Sequence, residues 1–396
     1  MPASALTARS AVLDLRPSRI REVANAAMGR QDLLAFWFGE PDEVTPQFIR
    51  DAAIESLNRG ETFYSQNLGL PALREALAAY LSRLHCGTGA EQIAVTSSGL
   101  SALQLAAQAL VGHGDRVVEV TPLWPNLVEI PKILGAQVEC VPLRFSAQGW
   151  KLDLDRLLAA LTPQTKLAVV NSPNNPTGWT ITPAEQRAIL EHCRRHGIWL
   201  IADDAYERLY YDAAQGRAVA PSFLAIAQPD DRLLITNTFS KSWLMTGWRL
   251  GWMRAPAPLI AEMAKLIEYN TSCAPVFVQR AGLAALTQGE PTIERTRARL
   301  REARDFLVDG LARLPGIELA RPAGAMYALF QVAGVHDSLA LCKHLVASTG
   351  LGLAPGIAFG AECEGFVRWC FAASEPRLAE GIARLQSGLA SFPRHA

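Results

Sequence analysis

The sequence predicts an α/β fold built on a doubly wound, mostly parallel sheet. From about residue 90 onward, short runs rich in β-branched residues alternate with helical stretches along the 396-residue chain. This alternation is typical of parallel sheets that carry helices on both faces. Apolar residues make up 49% of the chain and charged residues only 19%, which favours a large buried core and excludes a disordered chain.

The predicted strands follow one another at regular spacing, with a helical segment in most of the gaps. Their approximate bounds are 92–96, 115–122, 136–143, 165–171, 197–204 and 231–237. Helices are expected over 100–112, up to about residue 134, and over 183–197, where charged and apolar residues recur at helical spacing. Ligands of such sheets bind beyond the carboxyl ends of the strands, so the residues after each strand are the candidates for function.

The pattern changes near residue 290. A long segment with apolar residues at helical spacing begins there, and a mixed set of shorter elements follows it. We therefore predict a large unit over residues 46–290. A smaller α+β unit is expected from the two chain ends, residues 1–45 together with 291–396.

Charge and cysteine usage exclude several classes of function. The 38 basic and 38 acidic residues cancel, so no electrostatic footprint for nucleic acid or anionic membrane is present. Seven scattered cysteines without a C-x-x-C pair fit free thiols in a reducing compartment. No apolar run approaches the roughly 18 residues of a membrane span, so we expect a cytoplasmic protein.

Polar residues follow four of the predicted strands. Asn175 lies in the turn after one strand, Asp203 and Tyr206 follow the next, Lys241 comes just after the last, and Trp124 follows an earlier one. Each residue alone could cap a helix, serve a turn or lie in the core. A lysine between two serines directly after a buried strand is, however, a poor place for a solvated charge. Together these residues predict one polar crevice at the sheet edge.

The same edge carries a candidate phosphate site. Ser97, Ser98 and Gly99 separate a strand from a helix, so backbone N–H groups at the helix N-terminus would face an anion. Arg249 could supply a fixed guanidinium to the same phosphate. The absence of G-x-G-x-x-G and of a Walker loop argues against a nicotinamide or ATP site.

A metal site is not expected. His192 and His196 lie four residues apart on a predicted helix with Cys193 between them. The H-E-x-x-H pattern is absent, however, and no third ligand is evident. Such pairs are ordinary on polar helix faces.

Several segments together resemble one family. They are SRIREVANAAMGR, FGEPDEVTP, YSQNLGLPALREAL, SPNNPTG, ADDAY, FSKSWLMTGWRLG, PGIAFG and GFVRWCFA. The chain resembles the class I/II pyridoxal-phosphate-dependent aminotransferases of fold type I, the aspartate aminotransferase-like family, over nearly its whole length. The lysine segment is the most specific of the matches. The resemblance implies a fold-type I transferase with pyridoxal 5'-phosphate as cofactor.

The resemblance also implies a role for each matching residue around the cofactor ring. Lys241 would hold the cofactor as an aldimine and then shuttle the proton. Asp203 would pair with the pyridine nitrogen, and Trp124 would stack on the ring. Tyr206 would donate to the phenolic oxygen, with Asn175 in support.

The remaining implied roles concern the phosphate, the substrate and a second subunit. Tyr64 would reach the phosphate of the neighbouring subunit, which implies a homodimer with shared sites. Arg368 would bind the substrate α-carboxylate, the backbone at Gly39 would close on it, and Trp37 would wall the side-chain pocket. The phosphate itself would be held by Ser98, Gly99, the Leu100 amide, Thr238, Ser240 and Arg249.

The function that the resemblance implies is transfer of the amino group of an L-amino acid to a 2-oxo acid by a ping-pong mechanism. A β-lyase acting on C–S bonds, a decarboxylase, a cyclising synthase and a non-catalytic ligand-binding relative would keep nearly every residue named, so these alternatives stay open. Which amino acid is used also stays open. The aromatic residues beside Gly39 favour apolar or aromatic side chains as a hypothesis.

Overall fold

The computed structural model describes residues 8–85, 87–211 and 219–393. Residues 1–7 and 394–396, the ends of the predicted smaller unit, lie outside the described residues, as does Cys86 among the seven cysteines. The described helices are α1 Ser10–Leu13, α2 Arg19–Ala26, α3 Gln47–Asn58, α4 Pro71–Leu84, α5 Gly99–Leu110, α6 Pro125–Ile133, α7 Leu154–Ala160, α8 Pro183–His196, α9 Ala257–Glu268, α10 Val276–Gln288, α11 Glu290–Leu311, α12 Ser338–Thr349 and α13 Glu375–Ser391.

The described strands form one large sheet, one medium sheet and two small pairs. In chain order they are β1 Leu34–Ala35, β2 Ile93–Thr96, β3 Arg116–Thr121, β4 Gln137–Pro142, β5 Arg144–Ser146, β6 Gly149–Lys151, β7 Thr165–Asn171, β8 Trp199–Asp203, β9 Leu233–Thr238, β10 Gly251–Arg254, β11 Ile317–Leu319, β12 Tyr327–Val332, β13 Leu351–Gly352, β14 Ala354–Pro355 and β15 Phe366–Cys370. The six strands predicted from sequence correspond to β2, β3, β4, β7, β8 and β9.

The large sheet has seven strands in the order β2-β10-β9-β8-β7-β3-β4. The strands from β9 to β4 are parallel, and β10 pairs antiparallel with both β9 and β2. The predicted α/β class with a mostly parallel sheet is therefore confirmed. The sequence analysis missed β10, because a strand of four residues carries no periodic signal of its own.

Both faces of the large sheet are covered, which explains the apolar runs in its strands. On β3, Val117 packs into a cluster with residues of α5 and α9, whereas Val118 faces a second cluster that includes residues of α8 and α10. Neighbouring side chains of a strand point to opposite faces, so each strand contributes to both clusters. The carboxyl ends of the parallel strands are left to form the site.

A third core cluster joins the two ends of the chain. Ile20 and Val23 of α2 pack together with Leu378 and Leu385 of α13 and with the antiparallel sheet β11-β12-β15-β14. Side chains from residues 206 to 211 also enter this cluster, so the two parts of the chain share a buried boundary. The division into units 46–290 and 1–45 with 291–396 stays a prediction.

Local sequence accounts for helix boundaries near the site. Thr182 and Glu185 form a reciprocal capping box at the start of α8, and Gly197 ends the helix in the left-handed conformation with φ of 66°. Ser98 caps α5 through a bond from the Ser101 amide to its hydroxyl, 2.9 Å long. None of the helices in the described ranges combines the length and apolar character that crossing a membrane requires.

Candidate active site

A cavity of about 560 Å³ opens at the carboxyl ends of the parallel strands. Asn171 ends β7, Asp203 ends β8 and Thr238 ends β9, and all three line this cavity. Lys241 enters from the turn that follows β9. Two larger grooves, one of which borders this cavity at Thr246 and Arg249, contain neither Lys241 nor Asp203. The convergence expected from the strand ends is present in this one cavity.

Lys241 presents its amine to the interior of the cavity. The Nζ atom donates to the carbonyl oxygen of Gly39 at 2.7 Å. Burial lowers the pKa of this amine from 10.5 to about 8, and the nearby Arg368 and Arg249 guanidinium groups act in the same direction. An amine with a pKa near neutrality can act both as a nucleophile and as a proton carrier.

Asp203 is a buried carboxylate without a close cation. Its side chain accepts long bonds from Asn171 Nδ2 and from the Ala205 amide, each 3.3 Å. Burial raises the pKa of Asp203 from 3.8 to about 6. A protonated pyridine nitrogen in the cavity would supply the charged donor that this carboxylate lacks among the described residues, so the site fits pyridoxal phosphate at this end.

An anion cradle lies at the other end of the cavity. Ser98 has a φ of 143° just before α5, and the first two residues of that helix, Gly99 and Leu100, line the cavity. The hydroxyl groups of Thr238 and Ser240 lie 2.9 Å apart beside it. Gly251 permits the close approach of β10, because a Cβ atom there would lie 2.3 Å from the Gly99 nitrogen.

Arg249 completes this cradle from the turn before β10. The guanidinium lines the cavity, and one of its terminal nitrogens donates to the Thr246 carbonyl oxygen at 2.7 Å. Leu100, Gly99 and Trp124 line the cavity nearby, with Trp124 at the start of α6. Hydroxyls, helix amides and a guanidinium form the donor set that a phosphate requires.

Arg368 lines the cavity from β15. Its side chain donates to Asn175 Oδ1 at 2.9 Å and to the Trp37 carbonyl oxygen. The guanidinium carbon also lies 4.3 Å from the centre of the Tyr327 ring and 4.7 Å from that of Phe359. The arginine is therefore held in a fixed orientation without an anionic partner among the described residues.

The aromatic residues beside Gly39 have different surroundings. Phe36 is buried, and its ring centre lies 4.9 Å from that of Trp369. Trp37 and Phe38 line the cavity, and the guanidinium of Arg21 lies 4.7 Å from the Phe38 ring centre. The hypothesis of apolar or aromatic substrates stays a prediction.

Two predicted residues, Ser98 and Tyr64, are not among those that line this cavity within the single chain. The Ser98 hydroxyl instead caps α5. Tyr64 is 88% exposed and does not line the cavity. Its expected contact with the phosphate of a neighbouring subunit stays a prediction. His192 Nε2 donates to the Leu161 carbonyl oxygen at 2.6 Å, and no group of three metal-ligating side chains occurs in the part of the chain described by the structure.

Tyr327 is a site residue that the sequence analysis missed. It lines the cavity from β12, and its hydroxyl oxygen lies 2.8 Å from that of Tyr206. The tyrosine belongs to the segment that the sequence pattern showed only as an α+β tail. No spacing in the sequence indicates that β12 meets the end of β8, so only the segment Gly324–Tyr327 itself could have drawn attention to it.

Comparison with known proteins agrees with this geometry. The model of the family "Aminotransferase class I and II" matches residues 32–385. Aspartate aminotransferase of Pyrococcus horikoshii is 32% identical over 96% of each chain, and arginine–pyruvate transaminase of Pseudomonas aeruginosa is 32% identical over 92% of each. The solved aspartate aminotransferase from Thermus thermophilus with maleate has a TM-score of 0.88 and 33% identity, covering 96% of this chain and 99% of that one.

The chain therefore belongs to the class I and II aminotransferases, and the resemblance noted from its motifs is confirmed. Its fold is the fold type I of these enzymes. Within that class it is an aminotransferase that uses pyridoxal phosphate.

Proposed function

We propose that this enzyme moves the amino group of an L-amino acid to a 2-oxo acid in two half-reactions, with pyridoxal 5'-phosphate linked to Lys241. The observation that carries the proposal is the meeting of three groups in one cavity. They are a buried amine with a pKa near 8, a buried carboxylate and a fixed guanidinium, contributed by Lys241, Asp203 and Arg368. No other described cavity combines these groups.

The proposed cofactor contacts follow the charges of the cavity. Bound pyridoxal phosphate supplies an electron sink for the negative charge left when the substrate loses its α-proton. Asp203 would hold the proton of the pyridine nitrogen, Tyr206 would donate to the phenolic oxygen, and Trp124 would cover the ring. The phosphate would be bound by Ser98, Gly99, Leu100, Thr238, Ser240 and Arg249.

Lys241 is the proposed proton carrier. Once substrate has displaced it from the cofactor, its Nζ is a free amine in the same cavity. With a pKa of about 8, this nitrogen is neutral in roughly one molecule in ten at pH 7, far more than for an ordinary lysine, and can accept the α-proton. The same amine would carry that proton within the cavity, and hydrolysis by water would then release the 2-oxo acid and complete the first half-reaction.

Arg368 is the proposed receptor for the substrate α-carboxylate. A planar guanidinium binds a carboxylate through two parallel bonds, and the orientation of this one is fixed by Asn175 and by the Trp37 carbonyl. The backbone at Gly39 would close on the same carboxylate, and the Trp37 ring would contact the substrate side chain. A clamped carboxylate disfavours decarboxylation.

We further propose a homodimer with shared sites in the cytoplasm. Phe63, Tyr64 and Tyr269 are between 83% and 90% exposed, which is unusual for large aromatic side chains. Covering them with a second copy would remove this apolar surface from water and could bring Tyr64 to the partner's phosphate. The residue groups 46–290 and 1–45 with 291–396 are the proposed large and small domains of each subunit.

Borohydride reduction tests the attachment of the cofactor. Reduction of the cofactor-loaded enzyme, followed by peptide mass mapping, should place one cofactor mass on the peptide that contains Lys241. Lys241→Arg should lose both the added mass and transaminase activity. The matched control is Lys265→Arg, because Lys265 is exposed and paired with Glu262 at 2.7 Å. Added mass on a different lysine would contradict the proposal.

A further inference from the structure

Tyr327 and Tyr206 form a hydrogen-bonded pair inside the active-site cavity. Their hydroxyl oxygens are 2.8 Å apart, and their rings meet edge to face with centres 5.7 Å apart. Both side chains are buried, with exposed fractions of 1% for Tyr327 and 4% for Tyr206. Within the described residues, neither hydroxyl has another hydrogen-bond partner. The two hydroxyls carry two hydrogens, and the hydrogen bond between them uses only one.

The number of hydroxyl hydrogens shows that one of the two tyrosines must donate to a group outside the pair. Burial raises the pKa of both hydroxyls, to about 12 for Tyr327, so both are protonated at neutral pH. One hydrogen makes the bond between them, and the other needs an acceptor, since a buried donor without one is costly. The tyrosine that donates outside the pair must therefore face an acceptor that the described chain does not provide.

The groups that pack against Tyr327 are a backbone segment and a cation. A Cβ atom added to Gly39 would lie 1.9 Å from the Tyr327 hydroxyl oxygen, so the Gly39 backbone closes that side. The guanidinium of Arg368, which can only donate, lies 4.3 Å from the centre of the Tyr327 ring. The hydrogen of Tyr327 is therefore best used in the bond to Tyr206.

We propose that Tyr327 is a positioning residue whose hydroxyl donates to Tyr206 and thereby directs the Tyr206 hydrogen to the phenolic oxygen of the bound cofactor. This inference rests on the proposed function, in which Tyr206 contacts that oxygen. Donation from Tyr327 also polarises the Tyr206 hydroxyl and makes it a stronger donor. Since Tyr327 stacks on Arg368 as well, one side chain supports both the cofactor end and the carboxylate end of the site.

The proposal predicts a spectroscopic effect that a purely structural role would not produce. The visible absorption band of the cofactor linked to Lys241 shifts when the linking nitrogen loses a proton. We call the pH at the midpoint of this shift the pKa of the band. A donor to the phenolic oxygen favours the more negative, deprotonated form and so lowers the pKa of the band. Weakening the donor by Tyr327→Phe should raise that pKa by roughly 0.2 to 1 unit, given that hydrogen bonds in a chain strengthen one another.

The experiment titrates the substrate-free, cofactor-loaded enzyme with pH and compares four variants with the wild type. Tyr327→Phe should raise the pKa of the band less than Tyr206→Phe does. The double variant should match Tyr206→Phe alone, since Tyr327 acts only through Tyr206. Tyr211→Phe is the control, because the buried Tyr211 hydroxyl donates to the Ala325 carbonyl and does not line the cavity. It should leave the pKa at the wild-type value.

Two results would overturn the inference. In one, Tyr327→Phe titrates like the wild type and Tyr211→Phe. In the other, the effect of Tyr327→Phe adds fully to that of Tyr206→Phe in the double variant. Failure of the proposed function is a separate result, because the wild-type enzyme would then show no lysine-linked band to titrate. Thermal unfolding of each variant confirms that the compared proteins are folded.

Discussion

Substituting Arg368 by methionine should lower catalytic activity strongly and leave the stability of the protein nearly unchanged. The guanidinium is buried with only 2% of the residue exposed, and its Nε atom has no hydrogen-bond partner among the described residues. The side chain donates to two oxygens, those of Asn175 and the Trp37 backbone, but neither carries a charge. The protein thus keeps a buried cation whose proposed partner is the substrate carboxylate.

The expected loss of activity follows from the two bonds of a carboxylate–guanidinium pair. Hydrogen bonds to charged groups contribute about 1.5–3 kcal/mol each, so losing two costs roughly 3–6 kcal/mol. Converted at 1.36 kcal/mol per tenfold change, kcat/KM for the amino acid should fall by roughly 10²- to 10⁴-fold. Absorbance of the half-reaction at several amino acid concentrations gives this quantity directly.

The expected effect on stability is small. Removing a buried charge relieves its desolvation cost, which offsets the loss of the donors to Asn175 and Trp37. We expect the melting temperature of the substrate-free enzyme to change by no more than about 3 °C.

Arg194→Met is the matched control for the Arg368 variant. Arg194 is bound to the buried Asp231 through contacts of 2.6 and 2.7 Å outside the cavity. Its loss leaves a carboxylate without its cation, so this control should lower stability and leave kcat/KM within about twofold. A less than about threefold loss of kcat/KM in Arg368→Met would refute the assigned role.

Three further predictions concern the cofactor-binding groups. Because burial raises the pKa of Asp203 to about 6, its ionisation destabilises the cofactor-free protein as pH rises through that value. Between about pH 4 and 8 the wild type should therefore lose on the order of 2–3 kcal/mol of unfolding free energy that Asp203→Asn does not lose. Urea unfolding of both proteins across this pH range measures the difference. Equal pH slopes of the unfolding free energy would contradict the prediction. The rate at which cofactor-free enzyme captures pyridoxal phosphate should rise with pH and level off above about 8, the pKa of Lys241, and a midpoint near 10.5 in stopped-flow absorbance would refute it. Tyr64→Phe should weaken cofactor affinity by roughly 2- to 10-fold, the value of one hydrogen bond, in fluorescence titration; unaltered affinity in a dimer verified by sedimentation would argue against a shared site.

Much of the site could be predicted from the sequence because it depends on strand ends. Asp203 and Lys241 each follow a Leu/Ile-rich run, and parallel strands bring their carboxyl ends to one edge. That rule needs no knowledge of which strands are neighbours. Ser98 and Gly99 follow the same logic, since a strand-to-helix junction at this edge places free amides over the cavity.

The rest depends on contacts between distant segments. Arg368 lies on β15 of the smaller sheet and was found only through the family resemblance, since no local pattern brings it to Asn175. Tyr327 was missed for the same reason, because its contact with Tyr206 joins residues 121 positions apart. The antiparallel β10 was missed because a four-residue strand between two others carries no periodic signal of its own.

The central claim is that this enzyme transfers an amino group through its cofactor, and the substrate half-reaction tests it most directly. Cofactor-loaded enzyme is mixed with single L-amino acids and no oxo acid, while the visible band and the released products are followed. The account predicts that, with at least one amino acid, the band is replaced by that of the aminated cofactor, one 2-oxo acid is released per site, and added 2-oxo acid restores the band. A band that persists with every amino acid, or returns with release of pyruvate and ammonia, would contradict transamination and favour a binding role or a β-lyase.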